Sequence, residues 1–229
     1  QRAENGFVGV QCGIMDQFIA SLGRRGHALF LDCRDLSYRH VPLAERAVVV
    51  VCNSGVKREL ASSAYNERRA QCEEAVRRLQ KALPGIRALR DVSPEDFEVH
   101  KHLLPEPVLR RAKHVVYENE RVLRSAELLE AGDLGGFGRL MYESHRSLKE
   151  DYEVSGPELD TLVELASSVE GTFGARLTGA GFGGCTVNLV ERDAVSGFRE
   201  FVGREYEART GIPLEVYVCE VVDGASSDM

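Results

Sequence analysis

The spacing of apolar residues predicts a chain that opens with strands after one short helix. Residues 12–22 have the apolar positions of such a helix. The segments 27–32 and 36–43 predict strands, since apolar and polar residues alternate loosely there. Residues 47–52 form a β-branched run that is typical of a buried strand.

The middle of the chain predicts helices. In 67–83 the apolar positions recur every three or four residues. A serine, a proline and two acids at 93–96 predict the start of another helix, and 108–129 carry one long apolar stripe. Asp133 is expected to cap the next helix, and residues 155–158 have the pattern of a capping box.

The last third returns to strands. The segments 175–178 and 185–190 predict strands on either side of a glycine run, 179–184. An amphipathic helix over 193–208 and an alternating strand over 214–222 follow. Strands that pair around a block of helices predict the α+β class.

Composition narrows the functional classes. The chain has 229 residues with a formal net charge of -7, whereas a broad nucleic-acid surface would be basic. No apolar run approaches the ~20 residues of a membrane span, and the start lacks the pattern of a secretory signal. The six cysteines are scattered without close pairs, which favours buried free thiols. We therefore expect a cytoplasmic protein that binds neither nucleic acid nor membrane.

The glycine run, LTGAGFGGC at 177–185, is a candidate ligand loop. Gly179, Gly181 and Gly184 satisfy G-x-G-x-x-G, but a strand follows instead of the helix that a dinucleotide site requires. A Walker A loop is excluded because G-K-[ST] is absent. Two interpretations stay open: a tight bend against packed backbone, and a loop that approaches a ligand closely.

Asp16 and Tyr65 are the candidate reactive side chains. Asp16 lies among apolar residues in CGIMDQF, so it is either a catalytic carboxylate or a surface acid on a short helix. Tyr65 lies at a polar approach to a helix that Ser62 or Ser63 could cap, and it is either a ligand contact or a packing residue.

The histidines do not predict a metal site. The pair at 100 and 102 lacks a nearby third ligand. His145 follows the apolar face of its helix, and we expect a hydrogen-bonded packing residue there.

Five segments, in order and spacing, resemble the galactokinase family of the GHMP small-molecule kinases. They are CGIMDQF at 12–18, GHALFLDCRDL at 26–36, ASSAYNERRAQCEEA at 61–75, ESHRSLKEDYEVSGPELD at 143–160 and GARLTGAGFGGCTVNLV at 174–190. The sugar signature segment and the serine-rich phosphate loop of that family, which belong to its N-terminal portion, do not occur in this sequence. The resemblance therefore covers the C-terminal part of the family.

The resemblance implies a division into two domains. Residues 1–56 would be the tail of the GHMP N-terminal domain, and 57–229 a ferredoxin-like C-terminal domain with extra helices. On that division, apolar groups such as Ile14, Phe18 and 49–51 would be partly uncovered. The isolated fragment would then self-associate, while the complete protein would be a monomer.

The implied activity is ATP-dependent phosphorylation of α-D-galactose at C1, with Mg²⁺, in galactose metabolism. Asp16 would be the catalytic carboxylate and would bind the sugar together with Gly13 and Tyr65. The residues that would line the nucleotide cleft are Gly179, Gly181, Gly183 and Gly184. Most contacts to ATP and Mg²⁺ would lie in the absent N-terminal part, so the isolated fragment is expected to be inactive.

Two alternatives stay open beside that activity. One is a kinase for a related sugar such as N-acetylgalactosamine, since the choice of sugar depends partly on absent residues. The other is a non-catalytic sugar sensor or regulator of the galactokinase-like type, which would bind sugar and ATP without turnover.

Overall fold

The computed structural model describes residues 1–3, 6–7, 13–57 and 61–225. The helices are α1 (Met15–Leu22), α2 (Ala61–Leu79), α3 (Pro94–His100), α4 (Val108–Glu130), α5 (Leu134–Glu150), α6 (Pro157–Ser167) and α7 (Val195–Thr210). The strands are β1 (His27–Leu31), β2 (Tyr38–Pro42), β3 (Ala47–Asn53), β4 (Thr172–Leu177), β5 (Cys185–Glu191) and β6 (Glu215–Cys219). The predicted α+β class is confirmed.

Two antiparallel sheets organise these elements. β1 and β2 form a hairpin, and the larger sheet has the strand order β4-β5-β3-β6. Every pairing in the larger sheet is antiparallel, and helices connect β3 to β4 and β5 to β6. This is the strand order of a ferredoxin-like fold, with α2 to α5 added before α6 in the first connection.

β3 lies in the middle of the larger sheet, as its β-branched sequence requires. Val50 pairs with Asn188 on one side and with Val218 on the other. Val50 is fully buried, so the expectation that the whole run 49–51 is partly uncovered was wrong. β3 precedes the predicted boundary at residue 56 although its partners follow it, and the division into two domains stays a prediction.

The larger sheet has a core on each face. On one face α6 and α7 pack against the sheet; the buried side chains there include Val50, Val190, Phe198, Val202 and Tyr206. The Tyr206 hydroxyl donates to the carbonyl oxygen of Ser54 at 2.8 Å, which ties α7 to the end of β3. On the other face the β1–β2 hairpin and helices α4 and α5 cover the sheet.

Helix α5 approaches β4 unusually closely at two glycines. A Cβ on Gly138 would lie 1.8 Å from the carbonyl oxygen of Phe173, and a Cβ on Gly174 would lie 2.5 Å from the Cα of Gly138. Real Cβ atoms do not come so near to backbone. Glycine at both positions is therefore what allows the helix to rest directly on the strand.

The helix starts follow the sequence signals with two exceptions. Ser93 accepts from the backbone N–H of Asp96 at 3.0 Å, and Asp133 accepts from that of Gly136 at 2.7 Å, as expected. At α6, however, Gly156 is the N-cap and the Ser155 hydroxyl donates to Asp160 instead of capping the helix. Helix α2 begins at Ala61, six residues earlier than its apolar spacing indicated, so 62 and 63 lie inside it.

Cysteine placement and helix hydropathy add two facts. The five described cysteines are all unpaired; Cys52 is buried but Cys33 is exposed, so the expectation of buried thiols was only partly right. None of the helices within the described ranges is long and apolar enough to cross a membrane.

The glycine contact between α5 and β4 yields a prediction with a control in the same helix. Gly138→Ala is expected to lower the free energy of unfolding by about 3 kcal/mol, because overpacking against backbone cannot relax cheaply. Gly135→Ala adds a Cβ whose nearest neighbours are 3.7 Å away. It should change stability by less than about 1 kcal/mol, in the stabilising direction. Urea unfolding measures both, and equal effects would contradict the close approach.

Candidate active site

Asp16 lies in the first turn of α1 and its side chain is exposed. Among the residues that the structure describes, its carboxylate makes no hydrogen bond or ion pair. Asp16 is therefore an exposed acceptor that a ligand hydroxyl could reach.

Helix α1 is held mainly at its far end. The ring of Phe18 packs edge-on against Tyr38 with centroids 6.2 Å apart, and the His40 ring lies 2.7 Å from the carbonyl oxygen of Leu22. The backbone N–H of Ala225 donates to the carbonyl oxygen of Ala20 at 2.7 Å. The hairpin and the segment after β6 thus fix the helix, and no contact from the other described residues covers the Asp16 carboxylate.

Gly13 precedes α1 and is exposed, and a Cβ built there would meet nothing within 4 Å. The backbone contact of Gly13 with a sugar stays a prediction. Cys12, the first residue of the same segment, lies outside the described residues.

Tyr65 lies in the first turns of α2 with 48% of its surface exposed. That exposure is more than a core packing residue would show. One turn later, the Arg68 guanidinium donates to the carbonyl oxygens of Tyr152 and Glu153 at 2.7 and 3.1 Å. Arg68 thereby fixes this end of α2 against the turn that follows α5.

The glycine loop, residues 178–184, packs through its backbone. Gly179, Gly181, Gly183 and Gly184 all have positive φ, between 75° and 116°. A Cβ on Gly181 would lie 2.1 Å from the carbonyl oxygen of Val154, and one on Gly183 would lie 2.7 Å from that of Val56. These contacts support the tight-bend interpretation at Gly181 and Gly183, whereas Gly179 is exposed.

The turn at 152–154 connects the glycine loop with the helix of Tyr65. The backbone N–H of Phe182 donates to Val154 at 2.7 Å, while Arg68 of α2 holds the two residues before Val154. The buried guanidinium of Arg111 forms an ion pair with Glu153 and donates to the carbonyl oxygen of Asp151. The arginine hydrogen bonds also lower the pKa of Glu153.

His145 joins three elements at the start of the glycine loop. Its Nδ1 accepts from the backbone N–H of Leu177, the last residue of β4, at 3.3 Å. Nε2 therefore carries the proton and donates to Asp160 of α6, 3.2 Å away. The expectation of a hydrogen-bonded packing residue is confirmed, although its partners were not foreseen.

Asp160 is the acceptor at the centre of this group. Partial burial by itself would raise its pKa, but hydrogen bonds from His145, Ser155 and Lys149 outweigh that effect and lower the pKa to about 2. Asp160 therefore stays ionised and keeps α5 and α6 together at neutral pH.

A polar stripe along α4 was missed by the sequence analysis. Its members are Arg111, His114, Glu118 and Arg121, spaced by three and four residues. His114 is buried, and that burial lowers its pKa to about 4, so the ring is neutral where it meets Ser147 at 3.0 Å. Charged residues recurring at helical spacing, in a helix that is also apolar, were the available signal.

Within the described residues, direct contacts do not join the three groups that the sequence predicted for the site. No hydrogen bond, ion pair or ring contact between described residues joins Asp16, Tyr65 and the glycine loop. Across the same ranges, no three His, Cys, Asp or Glu side chains are arranged to hold a metal ion.

Known proteins similar to this chain are galactokinases. The chain is 58% identical over 229 residues to the galactokinase of Roseiflexus sp. (strain RS-1), and 57% identical over 226 residues to that of Chloroflexus aurantiacus. The chain is similar to galactokinases along its whole length. It spans 59% and 58% of the length of those two galactokinases, while all or nearly all of the chain is matched.

Two further comparisons agree with this similarity. Residues 125–208 match the family model "GHMP kinases C terminal". The crystal structure of Lactococcus lactis galactokinase complexed with galactose superposes with a TM-score of 0.93 at 44% identity, covering 99% of this chain and 58% of that one. A mevalonate kinase from L. major, 18% identical with a TM-score of 0.52, shares the fold. The resemblance to the C-terminal part of galactokinases is confirmed.

The glycine loop of this chain gives a second prediction. Gly181→Ala places an alanine at a left-handed φ of 80° and also brings its Cβ against the backbone of Val154. It should therefore lower the free energy of unfolding by about 2 kcal/mol more than the φ strain alone would. Gly211→Ala is the control, since its φ is 72° and an added Cβ meets nothing within 4 Å. Urea unfolding compares the two, and equal losses would show that Val154 moves aside.

Asp160 gives a prediction about pH. Because the folded pKa is about 2, below the ordinary value of 3.8, its stabilisation is complete above about pH 4 and is lost as pH falls toward 2. Asp160→Asn should therefore lower stability by about 2 kcal/mol at pH 7 and by progressively less below pH 4.

Glu164→Gln is the control for that comparison. Glu164 lies in the same helix and pairs with Arg209, but its side chain is 69% exposed. Loss of such a surface pair should cost no more than about 1 kcal/mol. A constant difference between Asp160→Asn and the parent from pH 7 to pH 2 would contradict the assignment.

Proposed function

We propose that this chain is the C-terminal part of a galactokinase that transfers the γ-phosphoryl group of ATP to O1 of α-D-galactose. The observation that carries the proposal is the exposed, unpartnered carboxylate of Asp16 in CGIMDQF, at the open end of an anchored helix in the described part of the chain. The galactose complex of the Lactococcus lactis relative supports the choice of sugar.

In the proposed reaction Asp16 accepts a hydrogen bond from the 1-hydroxyl of the sugar. The O1 atom forms a bond to the γ-phosphorus while the bond to the β-phosphate oxygen breaks, and the hydroxyl proton passes to Asp16. Phosphoryl transfer depends mainly on positioning and on charge stabilisation, so holding O1 in line is the main contribution of this carboxylate.

Gly13 and Tyr65 are proposed to position the sugar. Gly13 has no side chain to obstruct approach along its backbone, and the exposed Tyr65 ring can present its hydroxyl to a sugar hydroxyl. Among the loop glycines, Gly179 is the exposed one and lines the proposed cleft. The buried Gly181 and Gly183, with the half-buried Gly184, support the shape of the loop.

ATP and Mg²⁺ are proposed to be held mainly by residues outside this sequence. Within this chain, the glycine loop is the part proposed to line the nucleotide cleft. We also propose that the complete protein is a cytoplasmic monomer, and that an isolated 229-residue chain associates through half-buried groups such as Ile14 and Phe18.

The test of the assignment is Asp16→Asn in the complete protein. The variant keeps the size of the side chain and removes its charge, so kcat should fall about 10²- to 10⁴-fold. ATP affinity should stay the same, because the proposed ATP contacts lie elsewhere and loss of a transition-state interaction lowers kcat and kcat/KM together. Asp193→Asn, at another exposed acid, should leave kcat unchanged.

Measurements on that variant and on the parent protein separate the interpretations. A kcat within about threefold of the parent would reject a catalytic Asp16. A lower melting temperature together with lower kcat would indicate a structural acid. If the parent binds galactose and ATP without turnover, the protein is a sensor, and a panel of sugars that includes N-acetylgalactosamine decides the substrate.

The isolated chain provides a separate prediction. Because the phosphate-binding loop is absent from these 229 residues, the chain alone should show no phosphorylation of galactose above the background without enzyme. A coupled assay of ADP release measures this. Turnover by the isolated chain would show that the ATP site lies within it.

A further inference from the structure

A cavity of about 340 Å³ lies between the β1–β2 hairpin, the larger sheet and helices α4 and α5. Its walls are mostly apolar; they include Leu29, Phe30, Val49, Leu129, Phe137 and Leu140. The volume falls within the ~300–1,000 Å³ that is typical of small-molecule sites. Nothing in the proposed galactokinase reaction uses this space.

Three charged side chains line the cavity: Glu118 and Arg121 of α4, and Arg176 of β4. Glu118 is shared by both arginines, since its carboxylate lies 2.7 Å from Nε of Arg121 and 3.1 Å from Nη1 of Arg176. The Ser144 hydroxyl donates to the same carboxylate. Two guanidinium groups against one carboxylate leave the cluster with a net charge of +1.

Arg176 occupies an unusual position for a charged residue. It pairs with Val187 in β5, on the face of the sheet that carries Val49 and Leu189 into the apolar core. Burial lowers the pKa of Arg176, and the neighbouring Arg121 charge lowers it further. A charge in such a place is costly unless it has a partner, and Glu118 is already shared.

The two arginines also retain unused donors. Nη2 of Arg121 is enclosed by the protein and has no hydrogen-bond partner within the described residues. Arg176 uses Nε for the carbonyl oxygen of Leu177 and Nη1 for Glu118. No hydrogen bond from its Nη2 to a described residue occurs, and the side chain is 31% exposed. An accessible guanidinium donor of Arg176 thus lies at the edge of the apolar cavity.

We propose that this cavity binds a small organic carboxylate with an apolar body, such as an aromatic acid. The carboxylate would accept from Arg176, with Arg121 contributing charge, and the body would fill the space against the hairpin and α5. A single negative charge matches the excess of the cluster, and charge-assisted bonds to guanidinium are among the stronger polar contacts. Apolar walls disfavour a heavily hydrated anion such as inorganic phosphate.

The probe for this proposal is 2-naphthoate, with the uncharged 2-naphthamide as its isostere. Calorimetric titration of the complete protein should show saturable binding of the acid, and binding of the amide about 10- to 100-fold weaker. Arg176→Met should lower the affinity for 2-naphthoate to the affinity for 2-naphthamide. Arg124→Met, which removes an exposed arginine of α4 outside the cavity, should leave both affinities unchanged.

A second variant keeps the test valid if Arg176→Met fails to fold. Ser125 lines the cavity, so Ser125→Phe should fill part of it and abolish binding of both compounds. A crystal structure of the complete protein with 2-naphthoate should place the ring system in the cavity.

Several results would overturn the proposal. They are absence of saturable binding, equal affinity for acid and amide, and acid binding that survives both Arg176→Met and Ser125→Phe. A crystal structure that shows part of the complete protein filling the cavity would also overturn it. Failure of Asp16→Asn to reduce kcat would leave this binding test unaffected, so the two proposals fail independently.

Discussion

The placement of β3 between β5 and β6 is the constraint on which the larger fold depends. Seven residues of β3 pair with residues more than 130 positions later on one side, and five pair with β6 on the other. Everything between β3 and β5 must therefore return to the same sheet. The added helices α2 to α5 follow β3 and lead through α6 into β4, which pairs with β5 at the edge of the same sheet.

Polar contacts, as well as apolar packing, connect the helices α2 to α5 with the strands of the larger sheet. Arg68 of α2 and Arg111 of α4 hold the turn at 152–154. The backbone of that turn supports the glycine loop. His145 fixes the strand just before the loop. Because these donors find backbone and side-chain acceptors, the loop is shaped by groups from helices that lie far apart in sequence.

The sequence pattern predicted the elements well where one physical signal dominated. The β-branched run at 47–52 and the caps at Ser93 and Asp133 are local signals, and the structure has them as expected. The capping box at 155–158 failed because Ser155 donates instead to Asp160, a carboxylate that His145 and Lys149 of α5 also hold. Such competition depends on chain segments that local reasoning does not bring together.

The candidate site, too, has features that follow from local sequence and features that follow from tertiary contacts. The residue types in CGIMDQF and in the glycine run pointed to Asp16 and to Gly179–Gly184 without any geometry. The partners of His145 and the charged cluster around Glu118 could not be found in this way, because they join α4, α5, α6 and β4. The spacing of the charged residues along α4 was visible in the sequence. Whether they are buried depends on which face of α4 packs against the rest of the protein, and that is a tertiary property.

The segment that follows β6 has a consequence for how the protein unfolds. Residues 224 and 225 hydrogen-bond to Gly23 and Ala20 at the end of α1, about 200 positions earlier in the chain. Asp223 adds a hydrogen bond to the backbone of Arg25. The C-terminal end of the helix that carries Asp16 is thus fixed by a segment that follows β6. Removing residues 223–225 would leave α1 held by the β1–β2 hairpin, while the sheet and its two cores kept their own contacts.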